Sequence, residues 1–145
     1  MKKSMIRMAS ILALAFLAAP LMVRAQQGVR VDVPFAFTAD KVTLPAGEYV
    51  VKGSAVDKGT LLIQRVDTAA AIYVPSNAAE KSAPQSECKL IFHRYGQRYF
   101  LWQVWSAGSA IGRELPKSAQ EKEQALTARH EAPEQVTIVA RLNPR

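Results

Sequence analysis

The chain of 145 residues contains one cysteine and two histidines. One cysteine cannot form an intrachain disulfide, and it cannot supply a zinc site built from several thiolates. A metal centre needs three or four convergent ligands, which two histidines and one cysteine scattered along the chain supply poorly. The sequence therefore predicts neither a disulfide nor a metal site.

Sequence motifs of common enzymes are also lacking. We find no Gly-x-Ser-x-Gly nucleophile motif, no phosphate-binding loop, no His-Glu-x-x-His and no dinucleotide-binding fingerprint. No pair of carboxylates stands out as an acid and base for glycoside hydrolysis. These absences favour a protein that is not an enzyme and that uses no cofactor.

The first 25 residues have the three-part layout of a secretory signal. A basic start is followed by an apolar run from Ile11 to Ala19, and then by a short segment that ends at Ala25. Cleavage is predicted between Ala25 and Gln26, which makes residues 26–145 one mature domain. An uncleaved anchor is the alternative, but Met8 to Val23 is shorter than the roughly 20 residues that a spanning helix needs. The sequence thus predicts an exported protein, periplasmic or extracellular, with no membrane span after cleavage.

The leader also explains most of the excess of positive charge. The whole chain carries 19 basic and 12 acidic residues, for a net charge of +7. Four of the basic residues lie in the leader, so the mature chain keeps 15 basic and 12 acidic residues, a net charge of +3. No basic block remains, and nucleic-acid binding is therefore not expected.

Short runs with alternating apolar and polar residues recur along the mature chain. Val29–Val33 and Gln135–Leu142 are two of them, and turn residues separate such runs every eight to twelve positions. Seven or eight short strands predict an all-β fold, an antiparallel β-sandwich or a small barrel. The run from Leu44 to Tyr49 resembles the corner that leads into a strand in immunoglobulin-like domains. Ser76 to Glu87 is small and polar, and predicts the longest loop.

A central hairpin is the strongest structural prediction. Residues 88–95 and 98–106 are both strand-like, and Gly96-Gln97 between them suits a type II′ turn. Both faces of this hairpin are largely apolar, which indicates that it is covered on two sides. The turn predicts a register that pairs Tyr95 with Arg98, His93 with Phe100, Ile91 with Trp102, and Lys89 with Val104.

One short surface helix is predicted near residues 119–128. Ser118 and Glu121 have the spacing of a capping box, in which each side chain bonds the backbone of the other residue. Leu126 is the only large apolar residue of this segment, so a narrow stripe is expected to hold the helix on the surface. Pro133 prevents the helix from continuing.

Two longer segments resemble a known group of proteins. They run as Val33-Pro34-Phe35-Ala36-Phe37-Thr38 with Thr43 to Tyr49, and as Leu90 to Gly96 with Tyr99-Phe100-Leu101 and Gly112 to Ser118. In these segments the chain resembles small, signal-bearing, uncharacterised proteins that are common in acidobacterial genomes. The resemblance implies an envelope or extracellular protein, and it brings no assigned activity, cofactor or site.

Five side chains near the hairpin tip form the candidate ligand-binding set: His93, Arg94, Tyr95, Arg98 and Tyr99. Tyr95 and Tyr99, with Trp102 and Trp105, would form an aromatic platform for a sugar, glycan or peptide, with arginines at its rim. Packing in the core is the competing interpretation of these rings and of His93. Tyr95 and Tyr99 are the two expected to be exposed. Cys88 is expected to be a buried free thiol.

Three hypotheses for function follow. The first is an exported, non-enzymatic β-sandwich that binds an envelope glycan, another protein or its own copies. The second is an enzyme of unrecognised type that uses His93. The third is a structural envelope component that associates with its own copies through edge strands.

Overall fold

A computed structural model describes residues 28–54, 57–128 and 131–140. The predicted leader and its cleavage site between Ala25 and Gln26 lie outside these residues. The described residues form eleven strands and one helix: β1 (Val29–Val33), β2 (Phe37–Ala39), β3 (Val42–Leu44), β4 (Gly47–Gly53), β5 (Thr60–Arg65), β6 (Ala71–Pro75), β7 (Asn77–Glu80), β8 (Lys89–Tyr95), β9 (Arg98–Trp105), β10 (Ile111–Glu114), α1 (Ala119–Thr127) and β11 (Glu134–Val139).

The strands form two open sheets. The first sheet has the order β1-β4-β5-β6, and the second has the order β11-β8-β9-β10-β7. All neighbours along these two paths are antiparallel, while β2 lies parallel to β9 at the pair Thr38 and Phe100 and also carries β3. The all-β sandwich is confirmed, and within the described part of the chain neither sheet closes into a barrel.

The core lies between the two sheets, where the inward positions of alternating strands meet. In β1 the three valines are buried and the two charged residues between them are exposed, as the alternation predicts. The largest fully buried side chains that pack in this core are Tyr49, Phe37, Phe92, Leu61, Ile63 and Leu90.

The predicted corner before β4 is confirmed. The hydroxyl of Tyr49 donates a hydrogen bond to the backbone carbonyl of Pro45, four residues upstream. The Tyr49 ring is buried against the edge of Phe37, with ring centroids 5.2 Å apart. A buried phenol needs a partner for its hydroxyl, and this bond provides one while it fixes the entry of the chain into β4.

The polar segment after β6 is not one long loop, which corrects the prediction for Ser76 to Glu87. Its first part is strand β7, which pairs with β10, another strand that the sequence did not indicate. Gly112 explains why the sequence does not indicate β10, because glycine usually disfavours a strand. A Cβ atom at this position would lie 2.6 Å from Cε3 of Trp105, so only glycine lets β10 pass this close to the indole.

The central hairpin is confirmed, and its register is confirmed only near the turn. Tyr95 pairs with Arg98 and His93 pairs with Phe100, while Gly96 has the positive φ of 61° that a type II′ turn requires. Beyond Phe92 the register shifts, so that Ile91 pairs with Gln103 and Lys89 with Trp105. The predicted pairs of Ile91 with Trp102 and of Lys89 with Val104 are wrong, because a β-bulge leaves Trp102 as the extra residue.

Helix α1 begins where the capping box predicts, but its anchor is not the one expected. The Ser118 hydroxyl accepts a hydrogen bond from the backbone N–H of Glu121, at 3.2 Å. Leu126, the expected apolar contact, is 66% exposed. The buried residue of the helix is Glu121, at 4% exposure. The helix is therefore attached through a carboxylate, and the expected apolar stripe is wrong.

Candidate functional site

Glu121 reaches from α1 to the face of the hairpin that points away from the first sheet. Its Oε1 atom lies 2.8 Å from Nδ1 of His93 and 3.3 Å from the hydroxyl of Tyr95. A carboxylate only accepts hydrogen bonds, so the imidazole N–H and the phenol both donate to it. All three residues are at least nine-tenths buried. The carboxylate is thus satisfied by two side chains of β8, and it ties α1 to the sheet.

The bulge in β9 places an indole over the same imidazole. The rings of His93 and Trp102 are stacked, with centroids 4.3 Å apart and an interplanar angle of 26°. The indole N–H of Trp102 donates to Oε1 of Glu114 at 2.6 Å, which links β9 to β10 and fixes the ring. His93 is therefore covered by an indole on one ring face and by a carboxylate at Nδ1, and it is 6% exposed.

The electrostatics of this cluster favour a neutral phenol. Burial raises the pKa of Tyr95 to about 12, and the neighbouring Glu121 carboxylate adds to the same shift. A phenol with so high a pKa stays protonated at neutral pH and keeps donating to the carboxylate. The imidazole and carboxylate are of the types used in acid–base catalysis, but their contacts here are those of an internal polar network.

An open cleft lies at the hairpin tip, and neither His93, Tyr95 nor Glu121 lines it. Its volume is about 200 Å³. We name it the hairpin-tip cleft; it is lined by Ala36, Phe37, Thr38, Thr43, Gln97, Arg98, Tyr99 and Gln120. The turn, the start of β9, the β2–β3 pair and α1 all contribute to it. Two side-chain amides, two hydroxyls and one guanidinium are brought together there beside a tyrosine ring.

The structure divides the predicted ligand-binding set into three groups. Arg98 and Tyr99 line the hairpin-tip cleft. His93 and Tyr95 belong to the buried network, so the expected exposure of Tyr95 is wrong: its side chain is 6% exposed because α1 covers that face near the tip. Arg94 belongs to neither group: it does not line the cleft, and its Nε donates to the carbonyl of Gly96 at 2.7 Å.

The proposed aromatic platform does not form. Trp105 is 1% exposed and Tyr95 is buried with His93. Tyr99 is half-buried, and its ring stacks on Phe35 with centroids 3.7 Å apart. The competing interpretation of these rings as packing residues is the correct one, and Tyr99 keeps only part of its surface for the hairpin-tip cleft.

Cys88 is half-buried rather than fully buried, which corrects the prediction for this thiol. Its sulfur accepts a hydrogen bond from the backbone N–H of Ala107 at 3.2 Å. Within the described ranges, no group of three or more histidine, cysteine or acidic residues is placed to hold a metal ion. The same part of the chain contains no helix that is long and apolar enough to cross a membrane.

Sequence reasoning did not identify Glu121 of the buried network, nor the cleft residues Thr38, Thr43, Gln97 and Gln120. Glu121 was assigned to the capping box, although its backbone makes the cap and its side chain binds His93 and Tyr95. The sequence indicates Gln97 only as a turn residue, and Gln120 lies in the predicted helix without any sign of a role in a site. The signal that could have marked Glu121 is the lack of any other good anchor on α1, since Leu126 alone makes a poor apolar face.

Comparisons with models of known protein families, with curated proteins and with solved structures find no match for this chain.

Proposed function

We propose that this protein is an exported, non-enzymatic β-sandwich module that binds a glycan of the cell envelope through the hairpin-tip cleft. One observation carries the proposal: Arg98 and Tyr99 line an open cleft together with two glutamines and a threonine pair. Export rests on the layout of residues 1–25, and it predicts a mature protein that begins at Gln26.

The polar groups of the cleft suit the hydroxyls of a sugar. Side-chain amides donate and accept hydrogen bonds, as sugar hydroxyls do, and a guanidinium adds up to five donors. The hydroxyls of Thr38 and Thr43 lie 3.1 Å apart and hold each other in place at one wall. At about 200 Å³ the cleft is smaller than the 300–1,000 Å³ usual for enclosed ligands, which favours the end of a glycan chain.

The surroundings of His93 support binding over catalysis. A general base must reach the proton that it abstracts, within about 3 Å or through one water. The His93 ring is 6% exposed, it lies under Trp102, and it does not line the hairpin-tip cleft. The alternative of an enzyme that uses His93 is therefore disfavoured by geometry.

Titration of the protein with soluble peptidoglycan fragments, followed by NMR chemical shifts, tests the proposal. Shift changes are expected at Gln97, Arg98 and Gln120. Arg98→Ala should weaken binding about tenfold or more, because it removes a charged hydrogen-bond donor. Lys58→Ala is the matched control, since Lys58 is also an exposed cation but does not line the cleft. Equal affinity of the Arg98→Ala protein and the wild type would refute the proposal.

Association through edge strands is the second candidate. Tyr73 is 67% exposed and lies on β6, which is an edge of the first sheet. Unpaired backbone groups on such a strand are a template for another chain. Sedimentation velocity on the same samples separates the two candidates. A monomer is expected, whereas a dimer that is lost in Tyr73→Lys would favour the structural role.

A further inference from the structure

A second cleft lies between the two sheets, at the end of β9 opposite to Arg98 and Tyr99. Its volume is about 260 Å³. Val29, Val51, Leu61 and Val104 form its floor, and all four are buried core residues. Because these side chains are the last inward positions of β1, β4, β5 and β9 at this end, the core is open to the surface here. We name this opening the sheet-end cleft.

The rim of the sheet-end cleft carries one apolar residue and two cations. Ile111 is 57% exposed. Lys52 lies beside the opening on β4 of the first sheet, and Arg113 lies beside it on β10 of the second sheet. Exposed large aliphatic side chains that adjoin an open apolar floor are a feature of binding grooves. The cleft therefore combines an apolar interior with a positively charged mouth.

Arg113 is held in a fixed position at this mouth. Its Nε donates to the Ser76 hydroxyl at 3.0 Å, and its Nη2 donates to the Ser76 carbonyl at 2.8 Å. Ser76 is itself 5% exposed. The Nη1 atom has no hydrogen-bonding partner among the described residues. The guanidinium is thus oriented in advance and retains free donors for a ligand.

Neither cation forms a salt bridge within the described part of the chain. Among residues 28–54, 57–128 and 131–140, no carboxylate lies within 4.0 Å of Lys52 or Arg113. Asp57 is near enough to feel the charge of Arg113, but its two oxygens accept from the Gly59 N–H and the Thr60 hydroxyl, each at 2.8 Å. A half-buried guanidinium that forms no salt bridge with a carboxylate of the described residues favours an anion at this position.

We propose that the sheet-end cleft binds a small aliphatic carboxylate, with the hydrocarbon chain on the valine and leucine floor and the carboxylate at Arg113 and Lys52. The volume fits such a ligand. It exceeds the roughly 150 Å³ of a cavity that admits benzene, and it falls below the range of drug-sized sites. This site is distinct from the hairpin-tip cleft and does not depend on glycan binding.

Titration of the protein with octanoate, followed by calorimetry and NMR shifts, tests this proposal. Binding is expected with shift changes at Val29, Val104 and Ile111. Octan-1-ol, which has the same tail length without the charge, should bind at least tenfold more weakly. Lys52→Met should weaken octanoate binding severalfold and leave octan-1-ol binding unchanged. Absence of octanoate binding, or equal affinity for the acid and the alcohol, would overturn the proposal.

A carboxylate placed at the rim provides the sharper variant. Ile111→Glu should bring its own anion to Arg113 and reduce octanoate affinity at least tenfold. Leu126→Glu, the same kind of change at another exposed position, on α1, should have no effect. Circular dichroism verifies that both variants fold. If the Ile111→Glu protein does not fold, Lys52→Met still tests the charged rim of the sheet-end cleft. Unchanged affinity in the folded Ile111→Glu protein would place octanoate elsewhere and refute the site.

Discussion

The two faces of the β8–β9 hairpin are held in different ways. The face toward the first sheet is hydrocarbon, and Leu90, Phe92 and Leu101 are each no more than 3% exposed there. The face toward α1 is centred on His93 and Glu121, which are also buried but polar. One hairpin thus shows that burial alone does not reveal which force holds a residue in place.

The difference matters for how each face responds to change. Apolar burial contributes about 25 cal/mol per Å² and has no directional requirement. A buried hydrogen bond adds only about 1 kcal/mol net, but the loss of one partner leaves the other unsatisfied at a cost of about 1–3 kcal/mol. The first face should therefore depend on volume, and the second on the identity of single atoms.

Phe92→Ala is expected to have the largest effect, because it opens a cavity in the hydrocarbon face. Phe92 is fully buried, with edge contacts to Phe35 and Phe37 at centroid distances of 5.0 and 5.3 Å. The free energy of unfolding should fall by about 3–5 kcal/mol. Urea unfolding followed by circular dichroism measures the loss. A decrease in the free energy of unfolding of less than about 1 kcal/mol would mean that this face is not the main source of stability.

Glu121→Ala is expected to destabilise the protein by about 1–3 kcal/mol, since His93 and Tyr95 lose their shared acceptor. Hydrogen exchange of α1 should rise with it. Leu126→Ala on the same helix is the matched control and should change the free energy of unfolding by less than about 0.5 kcal/mol, because Leu126 is 66% exposed. If Leu126→Ala is the more damaging change, the helix is held by its apolar residue after all.

Tyr95 should add a smaller loss of stability at alkaline pH. Well below pH 10, the ordinary pKa of the phenol, Tyr95 is neutral in both states and its full contribution is present. Between pH 10 and about 12 the unfolded chain releases this proton while the folded chain keeps it, so stability falls as pH rises. At pH 11 the loss is about 1 kcal/mol.

The comparison with Tyr95→Phe isolates this effect. The variant lacks the titrating group, so its free energy of unfolding should fall less between pH 9 and pH 11 than that of the wild type. Tyr49 contributes a slope of the same sign in both proteins, since burial also raises its pKa. Parallel pH profiles would show that the Tyr95 hydroxyl ionises as easily in the folded state as in the unfolded chain.

The features predicted from sequence are those that short stretches determine. The turn at Gly96, the cap at Ser118 and the corner at Tyr49 each depend on residues within a few positions, and all three are confirmed. The hairpin register is right as far as the turn controls it. Trp102 forms the bulge and covers His93 across strands, which no local pattern indicates.

The candidate sites were predicted less well, for the same reason. Arg98 and Tyr99 are next to the turn, and both line the hairpin-tip cleft. Apart from Gln97 of the turn, the other residues that line the cleft come from β2, β3, α1 and the residue before β2, all distant in sequence. The attachment of Glu121 to His93 spans 28 positions. Contacts of this length follow from how elements pack together, which a single sequence does not specify.

The order of strands along the chain has a consequence for synthesis. The first sheet is drawn wholly from residues 29–75, whereas the strands that cover its inner face, β8 and β9, begin only at residue 89. Because a polypeptide is synthesised amino end first, Val31, Val51 and Ile63 are made before β8 and β9, the two strands of the hairpin that covers them. The core between the two sheets therefore cannot close until the β8–β9 hairpin has been made, whether the chain folds during synthesis or afterwards.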